Sequence, residues 1–333
     1  MDDVIGHRRD IADRFAALVD SGELNLPFPG EGQTRERWAA LTALAEQDLA
    51  LARLAEGHTD ALAILHEIAP DFAVDAGADS PAAARWGVWA AEPPNTGLTA
   101  SPGESGTWQL SGTKAYCSGA RVCTRALVTA RAGEERRLFA VRVGEPWTRP
   151  LPDSWPAAGM NASDTLDITF DQAPGIPVGG PSAYLERPGF QHGGLGVAAC
   201  WYGGARAVAR TLHTAARSYD VGPHALAHLG AVRAQLEAVE AVLDRAAAQV
   251  DADPHDRKGG AAVRSKQVRT FTEAACSAVL DRVGRALGAA PLAHDADHAR
   301  TVTDLTVYLR QHHAERDYAT LGQAVAARGW GEV

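Results

Sequence analysis

The chain has 333 residues, 46% of them hydrophobic and 22% charged, and it carries a formal net charge of −9. This composition is typical of a folded protein and excludes a disordered one. The acidic balance argues against a nucleic-acid partner, because neutralising phosphates requires a basic face.

Cysteine usage and the start of the chain predict a cytoplasmic protein. The four cysteines are scattered without a C-x-x-C pair, as expected in a reducing compartment without a disulfide framework. The stretch from Met1 to Asp10 lacks the basic start and apolar run of a signal peptide. No apolar run approaches the roughly 18 residues that a membrane-spanning helix needs, so no membrane association is expected.

The N-terminal region, residues 1–84, shows helical spacing of its apolar side chains. Its pattern is interrupted at Leu26-Pro-Phe-Pro-Gly-Glu-Gly32, where the turn residues predict a loop. We therefore expect an N-terminal helical domain over residues 1–84.

Residues 85–180 change character and predict a middle β domain. Turn clusters separate short β-prone runs, which we assign as strands at 86–89, 107–110, 114–117, 126–129, 137–143 and 165–170. The second and third of these are expected to be two short strands joined by a Ser-Gly turn. Many short strands at near-even spacing predict a compact barrel or sandwich.

Residues 181–333 return to helical spacing. Four long segments fit helices, at about 189–217, 223–250, 257–288 and 296–327. Long helices with short connections are expected to form an antiparallel four-helix bundle. The predicted fold is therefore α+β and mostly α, with an N-terminal helical domain, a middle β-barrel domain and a C-terminal four-helix bundle.

Three motifs in the β region resemble those of the acyl-CoA dehydrogenase family. They are Trp89-Ala-Ala-Glu-Pro-Pro-Asn-Thr-Gly97, Leu110-Ser-Gly-Thr-Lys-Ala-Tyr-Cys-Ser-Gly119 and Gly159-Met-Asn-Ala-Ser-Asp-Thr165, the last followed by Ile168-Thr-Phe-Asp171. The resemblance covers residues from about 40 to 320 and implies the same α–β–α order, with a shortened N-terminal domain. It also implies an FAD-dependent oxidoreductase that dehydrogenates an acyl thioester such as an acyl-CoA, or a related small substrate, and that assembles as a homodimer or homotetramer.

The resemblance assigns cofactor contacts to the first two motifs. Tyr116 would lie against the flavin ring, since an aromatic plane can stack on it, and the Ser118 hydroxyl would bond near the flavin N5 atom. Trp89, Ala91 and Glu92 belong to the flavin-binding loop. Ala91 replaces the family's threonine, which leaves the backbone N–H groups of residues 91 and 92 to serve a flavin carbonyl. Without the family, the bland alternative is a core aromatic and a turn serine.

The FAD diphosphate contacts of the family are less well matched. The stretch Arg217-Ser-Tyr-Asp-Val-Gly222 retains the glycine, but Ser218 stands at the position of the family's arginine and the expected glutamine is missing. Arg217, one residue away, is the substitute that we assign to the cofactor. A diphosphate without cationic cover would be held weakly, because charge-assisted hydrogen bonds are the strong ones.

The family's glutamate base is also missing. Arg300-Thr-Val-Thr-Asp304 matches the element that precedes it, but His312 stands eight residues beyond Asp304 and is followed by His313. The other family position for a base, near Gln191-His-Gly-Gly194, has no carboxylate either. A histidine can act as a general acid or base near neutral pH.

His312 and His313 are therefore the catalytic candidates, and three functions stay open. The first is dehydrogenation without the usual glutamate, and the second is a flavin-dependent monooxygenase of the same fold that uses His312. The third is a non-catalytic member that acts as a binding protein. The bland alternative for both histidines is a hydrogen-bonding role within the last helix.

No metal site is expected. Two histidine pairs at helical spacing, His224 with His228 and His294 with His298, lack the third or fourth ligand and the supporting shell that a metal needs.

Overall fold

The computed structural model describes residues 2–72, 84–94, 96–103 and 107–328. Its contacts divide the chain into two compact units, which are described separately: unit 1 has residues 1–26, 53–157 and 161–190, and unit 2 has residues 27–52, 158–160 and 191–333. The three predicted domains, with boundaries at 84 and 180, stay a prediction. The described residues leave out 73–83 at the end of the predicted N-terminal domain, Asn95 in the first motif and 104–106 before the predicted strand at 107–110. They also leave out 329–333 at the end of the predicted bundle domain.

The helices of unit 1 pack through apolar side chains at helical spacing. They are α1 (Asp2–Asp20), most of α3 (Leu49–Ile68) and the short α4 (Ala183–Glu186). Ile11 and Phe15 of α1, four residues apart on one face, are fully buried. The Phe15 ring meets the imidazole of His58 on α3 edge to face, with 6.0 Å between ring centres.

Seven strands of unit 1 form one sheet that closes on itself. They are β1 (Trp86–Trp89), β2 (Leu98–Pro102), β3 (Trp108–Cys117), β4 (Arg125–Ala132), β5 (Glu135–Arg142), β6 (Thr148–Pro150) and β7 (Leu166–Val178). The path β4-β2-β3-β7-β5 returns to β4, because β5 pairs with β4 antiparallel along its whole length. β1 and β2 both pair parallel to β4, and β6 pairs with β7. The predicted middle β barrel is therefore confirmed.

The predicted pair of strands joined by a Ser-Gly turn is wrong. Residues Trp108–Cys117 form a single strand, whose register against β7 shifts between Leu110 and Gly112. Gly112 has φ +127°, and a Cβ there would lie 2.3 Å from the carbonyl oxygen of Gly97. The glycine thus serves a β-bulge, which bends a strand without ending it. Strands β2 and β6 have no counterpart in the sequence-based prediction, and β7 runs eight residues beyond its predicted end at 170.

Helix α3 covers one outer face of this barrel. Its Ile64 and Leu65 are buried against Trp86, Leu127 and Leu138. β4 is buried on both faces over residues 126–130, because Leu127 points to the helix while its neighbours on either side point the opposite way. The barrel is therefore held from outside by the same amphipathic helix that the sequence pattern indicates.

The longer elements of unit 2 are helices. They are α2 (Thr34–Gln47), α5 (Pro188–Ser218, which begins in unit 1), α6 (Gly222–Ala252), α7 (Ala261–Leu287), α8 (Ala290–His294), α9 (Ala296–Tyr308) and α10 (Glu315–Arg328). The connections between α5, α6 and α7 are short, as in an up-and-down bundle. The three predicted helices at 189–217, 223–250 and 257–288 agree with α5, α6 and α7.

The fourth predicted helix, 296–327, is not continuous. α9 ends at Tyr308, a 3₁₀ turn follows over Leu309–Gln311, and α10 begins at Glu315. Ala314 takes a positive φ of 44° between them. The physical reason is a buried side chain: the His312 ring accepts the Ala314 backbone N–H, so a side-chain hydrogen bond replaces a helical one at the break.

Close helix approach in unit 2 depends on small residues. A Cβ at Gly203 of α5 would lie 2.3 Å from the carbonyl oxygen of Thr42 in α2, and the Thr42 hydroxyl donates to the carbonyl of Ala199 at 3.1 Å. Trp201 and Tyr308 meet edge to face at 6.4 Å, and the Arg269 guanidinium lies 4.6 Å from the Trp201 ring centre. These contacts join α2, α5, α7 and α9 into one core.

We predict that Gly203→Ala destabilises the protein by about 1–3 kcal/mol, because overpacking against a backbone oxygen forces the helices apart. The matched control is Gly230→Ala in α6, where a Cβ meets nothing within 4 Å, so helix propensity should stabilise by up to about 1 kcal/mol. Chemical unfolding followed by circular dichroism measures both. Equal midpoints for the two variants would contradict the packing of α2 on α5.

Candidate functional site

Trp89 hydrogen-bonds to the backbone just after the end of strand β3. Its side chain is buried, and its indole Nε1–H donates to the carbonyl oxygen of Ser118 at 3.0 Å. Two of the sequence-predicted site residues are thus in direct contact. Trp89 supports the backbone of Ser118, so any effect on a cofactor passes through that segment.

Tyr116, the next-to-last residue of β3, has an unusual backbone conformation. Its φ is +58°, a region that non-glycine residues seldom adopt, and its N–H donates to the Asp167 carboxylate at 3.3 Å. The side chain is 48% exposed. Its ring meets that of Trp155 edge to face, with 6.1 Å between centres. The end of β3 therefore exposes the Tyr116 ring to solvent, and the contact with Trp155 fixes the orientation of that ring.

A chain of buried hydroxyl groups lies directly after Tyr116. The Ser118 Oγ is 2.9 Å from the Thr165 Oγ1, which in turn is 2.8 Å from the Ser163 Oγ. The backbone runs parallel to this chain, because the Gly119 N–H donates to the Ser163 carbonyl at 2.8 Å. The second and third motifs of the sequence therefore form one hydrogen-bonded junction, here called the 118–165 junction.

Asp164 anchors this junction through charge. Its carboxylate accepts the Arg121 guanidinium at 2.7 Å and the Arg121 backbone N–H at 3.1 Å. Arg8 of α1 lies 3.7 Å from the same carboxylate and donates to the Asn161 side chain at 2.7 Å. Because a carboxylate accepts several such bonds at once, it can hold its own backbone at a positive φ of 47°.

Glu92 lies in a second cluster of charges beside the end of β1. Lys114, only 2% exposed, donates to the carbonyl and the hydroxyl of Thr129, both at 2.8 Å. Its Nζ is 3.7 Å from a Glu92 carboxylate oxygen, and the other oxygen pairs with Arg136. Burial lowers the pKa of Lys114 to about 8, and the charge of Glu92 opposes part of that shift.

Ala91, next to Glu92, is exposed, and the segment from Ala90 to Pro93 is neither helix nor strand. The backbone N–H groups of Ala91 and Glu92 make no hydrogen bond within the described part of the chain. The Glu92 side chain is tied inside unit 1, so the donors that this segment can offer to a ligand are its amides.

His312 lies in the helix break of unit 2, with its side chain almost completely buried. Its Nδ1 accepts the Ala314 N–H at 3.2 Å, and its Nε2 is 3.0 Å from the hydroxyl of Thr270. Burial lowers its pKa, although Asp317, 3.7 Å away, opposes this. An accepting Nδ1 places the proton of a neutral ring on Nε2. His312 is therefore a neutral imidazole with both nitrogens engaged.

His313 is the more accessible of the two histidines. Its side chain is 57% exposed and its Nδ1 lies 3.6 Å from the Asp317 carboxylate, which also accepts the His313 backbone N–H and the Lys266 ammonium. Burial opposes it, but these hydrogen bonds and charges lower the pKa of Asp317 to about 2. Burial and the charge of Arg316 lower the pKa of His313, and the ionised Asp317 opposes part of that shift.

The Arg-x-x-x-Asp element next to the helix break has a structural role. Asp304 is buried and accepts the backbone N–H of Met160, while a Cβ at Gly159 would lie 2.4 Å from the carbonyl oxygen of Thr303. Asp304 thus fixes the 158–160 segment on α9. Arg217, in the last turn of α5, is exposed.

The structure brings Trp89 and Ser118 into contact and divides the sequence-predicted site residues between the two units. Trp89, Ala91, Glu92, Tyr116 and Ser118 all lie in unit 1, whereas Arg217, His312 and His313 lie in unit 2. Sequence reasoning assigned no role to several partners: Lys114, Thr129, Arg136, Trp155, Thr165 and Thr270. Lys114 and Thr165 stood in the quoted motifs, but Trp155 and Thr270 carried no signal, because their contacts are made across the fold.

Three further features of the described residues bear on the site. No group of three or more potential metal ligands is found among them. None of their helices combines the length and the apolar character needed to cross a bilayer. All four cysteines are buried free thiols.

Comparison with known proteins gives one short sequence match. No family model matches the chain. An amino sugar nitrososynthase, RubN8 of Streptomyces rubradiris, is 38% identical over 82 residues, which are 23% of this chain and 19% of that protein. The chain thus aligns with about a fifth of the length of this curated relative.

Similarity to solved structures extends over nearly the whole chain. KijD3, in complex with FMN and dTDP-3-amino-2,3,6-trideoxy-4-keto-3-methyl-D-glucose, has a TM-score of 0.77 at 22% identity and covers 98% of this chain and 92% of its own. TdsC of Paenibacillus sp. A11-2, with FMN and indole, has a TM-score of 0.73 at 19% identity, covering 97% and 96%. A nitrososynthase of Micromonospora carbonacea var. africana has a TM-score of 0.77 at 18% identity, covering 98% and 95%.

These matches define the class by fold. The chain has the acyl-CoA dehydrogenase-like fold, with its N-terminal helical region, middle barrel and C-terminal helices, as the sequence predicted. Of the similar structures, TdsC is a dibenzothiophene monooxygenase and the Micromonospora protein is a nitrososynthase.

We predict that stability falls at acid pH in part because of His312. Its pKa is lowered in the folded state, so the unfolded chain binds more protons below the ordinary histidine pKa of about 6.5. The free energy of unfolding should hold above that pH and decline as the pH falls through it. His312→Gln should be less stable than wild type near neutral pH but should lose less stability on acidification. An unchanged slope in denaturant titrations of this variant would contradict the neutral, buried ring.

Proposed function

We propose that the protein is a flavin-dependent monooxygenase that uses FMN. The observation that carries the proposal is similarity over 98% of the chain to KijD3 bound to FMN, joined to a histidine where the family's dehydrogenases have a glutamate base. A bound, reduced flavin supplies the electrons that activate dioxygen. The contribution of the chain is to bind and orient the ring and to manage protons.

The residues at the end of β3 fit a flavin ring. Tyr116 offers a half-exposed aromatic ring at a fixed angle, and a ring of this kind stacks on planar ligands. The Ser118 hydroxyl, set in the 118–165 junction, can donate or accept a hydrogen bond. The amides of Ala91 and Glu92 are donors without a partner in the described part of the chain, suited to a ring carbonyl.

FMN accounts for the departures at the phosphate end better than FAD does. FMN has one phosphate and no adenine, so an enzyme that holds it needs neither the second phosphate contact nor the glutamine that the family uses for adenine. Ser218 in place of the arginine is then no defect. Arg217, exposed at the end of α5, is the proposed cation for a single phosphate.

Proton transfer is assigned to His313, with His312 as its positioning residue. His313 is exposed and lies beside an ionised Asp317. Its lowered pKa keeps the ring neutral at neutral pH, so it can accept a proton as a general base and return it. His312 has both ring nitrogens occupied by Ala314 and Thr270, which suits a residue that fixes the break. Dehydrogenation of an acyl thioester is less well supported, because His312 stands where that reaction uses a carboxylate base and both of its ring nitrogens are already engaged.

The proposed substrate is a small molecule with an oxidisable nitrogen. RubN8 and the Micromonospora protein are both called nitrososynthases, which supports an amine as the first class to test. The dTDP-sugar bound to KijD3 and the indole bound to TdsC indicate the range of ligand shapes to test. A homodimer or homotetramer and a cytoplasmic location stay predictions.

We predict that the purified protein binds FMN and, with reduced FMN and air, adds oxygen to small amines. Tyr116→Ala should weaken FMN binding by about tenfold, the value of a stacking contact of roughly 1–1.5 kcal/mol. His313→Gln should lower turnover while leaving the FMN dissociation constant unchanged. Mass spectrometry of products and flavin fluorescence titration measure the two effects.

The control for Tyr116 is Trp147→Ala, which removes another exposed aromatic side chain of unit 1 and should leave FMN binding unaltered. A protein that takes up neither FMN nor FAD would refute the proposal. Bleaching of bound flavin by an acyl-CoA under anaerobic conditions would instead support dehydrogenation.

A further inference from the structure

A buried lysine of unit 1 has no place in the proposed chemistry. Lys114 is 2% exposed, and a charged side chain is rarely buried so deeply without a purpose, because dehydrating an ammonium costs several kcal/mol by order of magnitude. Two of its three protons are used by Thr129 on the neighbouring strand β4. The remaining charge is compensated by Glu92, which lies beyond the end of β1.

The arrangement joins four separate parts of unit 1. Lys114 is on β3, Thr129 on β4, Arg136 on β5 and Glu92 on the segment after β1. The Glu92 carboxylate accepts from Thr129 at 3.1 Å and pairs with both cations. The Thr129 hydroxyl also lies 3.4 Å from the carbonyl oxygen of Ala90. Two cations and one hydroxyl group therefore fix a segment that has no secondary structure of its own.

Lys114 is the buried member of this set, and Arg136 is the exposed one. The Arg136 side chain is 41% exposed, whereas that of Lys114 is 3% exposed. Exposed ion pairs contribute little because solvent screens them, while buried ones are screened much less. Lys114 should therefore account for most of the hold on Glu92.

We propose that Lys114 is a positioning residue that fixes segment 90–93 through Glu92 and Thr129, and so presets the backbone amides of Ala91 and Glu92 for a flavin ring. The inference rests on the proposed function, because it concerns how that cofactor would be received. Fixing these donors in advance lowers the ordering cost of binding. It also explains why an ammonium is kept in the wall of a barrel.

The inference predicts an alkaline loss of flavin affinity. Glu92, Arg136 and the buried thiol of Cys117 are the titratable groups that act on Lys114, and its pKa is about 8. Below that pH the ammonium holds Glu92. Above it the neutral amine releases the carboxylate, so the segment loosens and flavin binds less tightly.

The test is a titration of the wild-type protein and of Lys114→Met with FMN, followed by flavin fluorescence. Near neutral pH the variant should bind about tenfold more weakly, as for the loss of one charge-assisted hydrogen bond. Between about pH 7 and pH 9 the wild-type dissociation constant should rise toward that of the variant, whose profile should be flat. Arg131→Met, which removes an exposed cation from β4, is the matched control and should leave the wild-type profile unchanged.

Glu92→Gln keeps the shape of the side chain and provides a second route if Lys114→Met does not fold, because it removes the same charge pair and should by itself weaken FMN binding and flatten its pH dependence. In a double-mutant cycle, Lys114→Met and Glu92→Gln should be strongly non-additive in FMN affinity. An additive cycle, or an unchanged dissociation constant in Lys114→Met, would overturn the inference.

A double-mutant cycle in the free energy of unfolding of the flavin-free protein separates this inference from the proposed function. Lys114→Met and Glu92→Gln should be non-additive in that free energy, whether or not FMN binds. If wild type binds no flavin, the proposed function fails although the two side chains remain coupled. If FMN binds and the two substitutions are additive in FMN affinity, the positioning role alone fails.

Discussion

The 118–165 junction is the interaction on which the candidate site depends. It joins the end of β3 to the start of β7 through three buried hydroxyl groups and two backbone hydrogen bonds. It continues the pairing of β3 with β7 beyond their last ladder pair, Cys117 with Leu166. The positive φ of Tyr116 and of Asp164 is balanced by charge-assisted bonds. The Asp167 carboxylate accepts the Tyr116 N–H, and the Asp164 carboxylate accepts the Arg121 backbone N–H and guanidinium.

In both units a carboxylate that pairs with cations fixes an irregular segment. In unit 1 a buried lysine and an arginine fix Glu92, and in unit 2 Asp317 ties Lys266 to the backbone of His313. Each carboxylate is used to hold an irregular segment, which its own backbone cannot stabilise by helical or strand hydrogen bonds. Segments of this kind carry the groups that we assign to cofactor and proton transfer, as is usual for loops on a rigid scaffold.

Much of the fold could be predicted from the sequence, because its elements are long or sharply bounded by turn residues. The barrel and three of the bundle helices follow from periodicity alone. The bulge at Gly112 could not be predicted, since a turn and a bulge both call for a glycine with positive φ. Nor could the break at His312, because the ring that accepts the Ala314 N–H is buried and held by the Thr270 hydroxyl, 42 residues away in sequence. The adjacency of Trp89 and Ser118 needed the family resemblance, as no spacing rule joins them.

The 118–165 junction also has a consequence for the order in which the protein folds. Its side-chain bond closes a loop of 47 residues, and contacts of such long range form late, after the entropy of closure has been met. The helices of unit 2 depend on local contacts and can form earlier. An intermediate with formed helices but an unclosed barrel would therefore lack the fixed Tyr116 ring. On the proposed function, binding of flavin would then appear only at the last stage of folding.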